Sequence, residues 1–173
     1  MTRLLPMLLL TACPSDPDKP DSGDEPPSTV SCAPDDHDTL SLQIGTGQGS
    51  QFTPLEEGAS VTLDVAPQGG YGVSVRAKTT GLNTDDAVDV LLETALNGTE
   101  SGSFVNEGTN LYCQDDGTGL LWGVVVGFAP ATFPTTDDLL ALDGEEALLI
   151  VEATDVDGRS ARSEIIVTVE VGG

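Results

Sequence analysis

The sequence predicts an all-β domain, an antiparallel β-sandwich of seven to nine short strands. Three observations carry that prediction. Apolar and polar residues alternate at period two in several separate stretches, the mark of strands with one buried face. Turn residues punctuate the gaps between those stretches. Glycine and proline supply 20 and 11 of the 173 residues and only 4% are aromatic, which disfavours a helical bundle and suits strands joined by many turns.

Along the chain, Leu40, Leu42 and Ile44 alternate with Ser41 and Gln43, and Val61, Leu63 and Val65 with Thr62 and Asp64. Tyr71, Val73, Val75 and Ala77 share one face of the next strand, with Ser74, Arg76 and Lys78 on the other. Val88, Val90 and Leu92 repeat the pattern, and Ile165, Val167, Val169 and Val171 close it. Residues 120–128 and 147–153 are more uniformly apolar and predict central strands with little exposed surface. Gly45-Thr46-Gly47, Pro67-Gln68-Gly69-Gly70, Asn97-Gly98, Asp116-Gly117 and Asp157-Gly158 supply turns. Residues 135–140 predict a single helical turn, because Thr or Asp caps a helix and acids favour its N-terminus.

The final hairpin is more specific. Leu148-Leu149-Ile150-Val151-Glu152-Ala153-Thr154 runs into Asp155-Val156-Asp157-Gly158 and then an alternating strand. This segment resembles the closing strand pair of immunoglobulin-like domains in bacterial surface proteins. The resemblance implies an immunoglobulin-like sandwich and names no ligand. Pro67-Gln68-Gly69-Gly70-Tyr71 resembles a segment of bacterial lipoproteins and carries no implied role.

The N-terminus has the parts of an export signal: Arg3, the apolar run Leu4-Leu5-Pro6-Met7-Leu8-Leu9-Leu10, and small residues after it. Leu10-Thr11-Ala12-Cys13 resembles the lipobox of bacterial lipoproteins. That resemblance implies cleavage before Cys13, a diacylglycerol on its sulfur, and a chain held in the bacterial cell envelope, at the outer membrane facing the periplasm or the surface. Residues 1–12 are then the signal peptide. Residues 13–31 are the lipidated cysteine and a tether, and residues 32–173 the sandwich. Each buried acyl methylene contributes about 0.8 kcal/mol, so two or three chains hold firmly without a basic patch. The tether sequence PSDPDKPDSGDEPPSTV cannot bury a core, and its prolines and like charges keep it extended. At polyproline rise it reaches about 50 Å from the lipid.

A formal charge of −23 makes nucleic acid the wrong partner. The single histidine, His37, sits in Asp35-Asp36-His37-Asp38, and no Gly-x-Ser-x-Gly elbow accompanies it, so it reads as an acidic loop rather than part of a triad. Gly45-Thr46-Gly47-Gln48-Gly49-Ser50 lacks the Gly-Lys-Ser/Thr ending of a phosphate loop. With 29 acids, chance carboxylate pairs carry no information about glycoside hydrolysis, and no enzyme is expected. Trp122 lies among apolar neighbours, where burial is its expected fate and a sugar platform is unsupported. The metal candidate is calcium at Asp155 and Asp157, two carboxylates from one tight turn, with Arg159 as a competing cation. Asp-Gly is equally what a hairpin turn requires on its own account. These residues predict a non-enzymatic module held at the membrane by lipid, with a structural or adhesive role toward another protein or an envelope component, protein or glycan. A module binding carbohydrate or calcium is the alternative, and a glycan-active enzyme a more distant one.

Three cysteines, with Cys13 consumed by lipid, leave Cys32 and Cys113. Export places them where disulfides form and persist, and the pair predicts a bond that fixes the start of the domain to its body. Two buried free thiols are the alternative.

Overall fold

A computed structural model describes Cys32, residues 39–65 and 71–128, Phe133 and residues 135–172. Residues 1–31 and 33–38, with Cys13 and His37 among them, and Pro67-Gln68-Gly69-Gly70 lie outside the described residues. The described elements are β1 (Ser41–Thr46), β2 (Thr53–Pro54), β3 (Ala59–Val65), β4 (Tyr71–Thr80), β5 (Val88–Leu96), β6 (Thr99–Thr109), β7 (Tyr112–Cys113), β8 (Gly119–Gly127), α1 (Thr136–Leu140), β9 (Glu146–Thr154) and β10 (Ser160–Glu170).

They form an all-β sandwich rather than a closed barrel. One sheet runs β2-β1-β4-β8-β7, and the other β10-β9-β5-β6. Strand β3 belongs to both. Its first half pairs parallel with β10, Ala59 opposite Val167, and its second half pairs antiparallel with β4, Leu63 opposite Val73. A strand that changes sheets makes a corner of a sandwich. The β3–β10 ladder is the one departure from antiparallel pairing among the described strands. Two of the ten strands are two residues long, so eight long strands carry the fold, within the predicted range.

The core lies between the sheets. Val73 and Val75 of β4, Val90 and Leu92 of β5, Leu149 and Val151 of β9, and Val167 and Val169 of β10 are all buried. Each such side chain contributes roughly 1.5–3 kcal/mol by leaving water. The β5–β6 turn is Asn97-Gly98, with φ of 51° and 74°. Two positive φ values define the primed turn whose twist matches the flanking strands. Thr135 caps α1 reciprocally: its hydroxyl accepts the Asp138 N–H at 3.2 Å, and Asp138 Oδ2 accepts the Thr135 N–H at 3.1 Å.

Several expectations need correction, Leu40 among them, which is exposed just before β1 begins. Tyr71 is exposed although Val73, Val75 and Ala77 of its strand are buried, because it opens the strand at the sheet margin. Arg76, placed by alternation on a solvent face, is only 6% exposed, because residues 48–51 fold over it. Residues 120–128 do not form a fully covered strand: β8 exposes Trp122 and Gly123, since no described element covers the outer face of its sheet. Residues 147–153 do run centrally, between β5 and β10, but alternate buried and half-buried positions.

Candidate functional site

The most distinctive surface lies where β7 meets β8. Tyr112 is opposite Leu120 and Cys113 opposite Gly119. Directly opposed residues share a face, and residues two apart on one strand share it too. Tyr112 is therefore the diagonal neighbour of Trp122. Their rings stack with centroids 4.0 Å apart and planes inclined by 16°. Tyr112 is 48% exposed and Trp122 44%, so the stack stands on the surface and the expectation of a buried tryptophan is overturned. Here β4 and β8 also change register between Val75 and Ala77, which sets Trp122 and Gly123 of β8 against Arg76 alone.

An ion pair flanks the stack. Lys78 of β4 lies opposite Leu120, and its ammonium is 2.7 Å from Asp116 in the β7–β8 turn. The hydrogen bonds from the Lys78 and Thr118 side chains, with the Thr118 N–H, overcome slight desolvation and hold the Asp116 carboxyl at about 2. Asp116 also fixes the turn, accepting from the Thr118 N–H at 3.2 Å.

The disulfide joins the same corner. The sulfurs of Cys32 and Cys113 are 2.08 Å apart and their Cα atoms 5.6 Å apart, so the pairing expected from cysteine arithmetic is present. The Cys32 N–H donates to Asp85 Oδ1 at 3.0 Å. Cys32 is thereby bonded to the immediate neighbour of Tyr112.

Asp155 and Asp157 occupy the β9–β10 turn as predicted, but Asp155 is fully occupied. Its side chain has no exposed surface. Oδ1 accepts the N–H groups of Asp157 at 3.1 Å and Arg159 at 2.9 Å; Oδ2 accepts the N–H of Asn83 at 2.9 Å and Nε of Arg159 at 3.0 Å. Burial raises its pKa, but the donors of Asn83 and Arg159 outweigh burial and hold the carboxyl below its ordinary value. Asp157 lies 3.4 Å from Asn83 Nδ2. Calcium requires oxygen lone pairs directed at a common point. Here both Asp155 oxygens face N–H donors, and the cation held is Arg159, so the residues do not fit the metal. Among the described residues no cluster of three or more His, Cys, Asp or Glu side chains could hold a metal ion. No described helix is long and apolar enough to cross a membrane.

The sequence reading missed the aromatic stack and the burial of Arg76. Trp122 is adjacent to Gly123, and that glycine was the available sign of a bulge. No family model and no curated protein matches the chain.

Proposed function

We propose that this chain is a bacterial envelope lipoprotein, anchored through lipid on Cys13, that presents one non-enzymatic immunoglobulin-like sandwich for structural or adhesive contact. The contact surface is the outer face of β7 and β8. The observation that carries this reading is the stack of Tyr112 on Trp122, exposed on a sheet face that no other described element covers. Tyr and Trp supply large rigid contact area at small entropic cost and dominate binding energy in recognition surfaces. The leader and lipobox-like Leu10-Thr11-Ala12-Cys13 support the anchor, and residues 14–30 support a tether.

A second reading has one specific support. An aromatic face beside the Lys78–Asp116 ion pair suits a glycan, whose C–H faces stack on rings while its hydroxyls meet charged groups. Binding of the full chain to purified envelope glycan and to envelope protein fractions separates the two. Trp122→Ala should weaken whichever interaction is real by ~30-fold, the loss expected of an aromatic hot spot, with melting temperature unchanged. Equal binding by the variant would refute the assignment of this face.

A further inference from the structure

Strand β4 presents Ser74, Arg76 and Lys78 in alternation. Lys78 reaches Asp116, but Arg76 meets no described acid. Its Nη1 donates to the carbonyls of Gly49 at 2.7 Å and Gln51 at 2.8 Å. Its Nε is buried without a hydrogen-bond partner. Among the described residues no carboxylate pairs with it, although the chain holds 29 acids against six basic residues. A buried guanidinium without a counter-charge is costly, and an oxyanion reaching it would relieve that cost with strong charge-assisted hydrogen bonds.

The topology places a cavity beside this charge. β1 pairs with residues 76–80 of β4, and β3 with residues 71–73 along the same edge before leaving for β10. The fork between them opens a cleft of about 420 Å³. Arg76 lines it together with the hydroxyl residues Thr46, Ser60, Thr62 and Ser74. None of its described lining residues is acidic. Hydroxyls donate to oxyanions, and the guanidinium offers a planar fork of N–H groups matched to carboxylate or phosphate. A neutral ligand would satisfy the hydroxyls and leave the charge unmet.

We propose that the cleft at the β1–β3 fork binds a small oxyanion, a carboxylate or a phosphate, with Arg76 as its charged anchor and Thr62 and Ser74 as hydroxyl donors. The cleft shares no lining residue with the Tyr112–Trp122 stack or the Lys78–Asp116 pair. Its acid-free lining also explains how an anion is accepted by so negative a chain: the attraction is short-ranged, and salt screens the repulsion of distant surface acids.

Titration calorimetry on the full chain tests it, with inorganic phosphate, glucuronate and glucose 6-phosphate as probes, glucose as the neutral control, and chloride holding ionic strength constant. At least one anionic probe should bind saturably and glucose should not. Glucuronate alone identifies a carboxylate site; phosphate or the sugar phosphate alone identifies a phosphate site. Arg76→Met should weaken binding by ~10- to 100-fold, the value of hydrogen bonds to a charged group. Should that variant fail to fold, Ser74→Ala and Thr62→Val, each of which takes away a cleft hydroxyl and little else, should each weaken binding several-fold. No saturable binding by any anion, or affinity unchanged in the variants that fold, would overturn the proposal.

Discussion

Gly102 of β6 lies directly against the carbonyl of Gly127 of β8, so closely that a Cβ on Gly102 would overlap that oxygen. The contact joins strands of different sheets and closes one side of the sandwich. The same Cβ would meet Thr94 Oγ1 at 2.9 Å, so it has no direction of escape. Gly102→Ala should cost roughly 1–3 kcal/mol, the usual penalty of overpacking. Urea denaturation measures it; an unchanged midpoint would contradict the close approach.

The Cys32–Cys113 bond closes a loop between residues 81 apart in sequence. Chain entropy assigns such a closure about 4.5 kcal/mol, an upper figure because native strain subtracts from it. Reduction, or Cys32→Ser with Cys113→Ser, should lower the melting temperature substantially. Melting curves that coincide with and without reductant would show that the bond contributes nothing.

Asp155 holds the β9–β10 turn to Asn83, 72 residues earlier. Asp155→Ala leaves three backbone N–H groups without their acceptor and Arg159 without its partner, at a cost of roughly 3 kcal/mol. Because both carboxylate oxygens already face donors, millimolar calcium should not move the melting temperature of the native chain. A calcium-dependent rise that disappears in Asp155→Asn would reverse that assignment.

Asp116 gives a pH dependence of known sign. Its carboxyl is held at about 2 in the fold against an ordinary 3.8. Between those values the unfolded chain takes up a proton that the folded chain refuses, so stability falls as the solution is acidified. The contribution is complete above the ordinary value and gone below about 2. It is small and salt-sensitive, because Asp116 is largely exposed. The stability difference between the native chain and Asp116→Asn, followed from neutral pH downward, should shrink across that interval. A difference independent of pH would exclude the Lys78 pairing.

The sequence made most of this architecture legible, because alternation reports burial wherever one face of a strand meets a core. Val73, Val75 and Ala77, or Val88, Val90 and Leu92, are buried as their spacing requires. Strand β6 escaped notice: Thr99-Glu100-Ser101-Gly102-Ser103 is polar and glycine-containing, and the strand lies at a sheet edge where few side chains need be apolar. Surface features escaped for a different reason. Whether Trp122 is covered depends on which other elements lie over its sheet, and whether Arg76 is covered depends on the path of residues 48–51. Both are non-local facts, and neither leaves a periodic trace. Asp155 was found, but as a candidate metal ligand, because its committed donors include an N–H distant in sequence.

The most direct measurement is the intact mass of the protein extracted from the membranes of its native host. Lipid anchoring requires a chain that begins at Cys13 and carries added acyl mass, and requires Cys13→Ser to leave the membrane fraction. An unmodified Cys13 in a soluble, exported protein would contradict it.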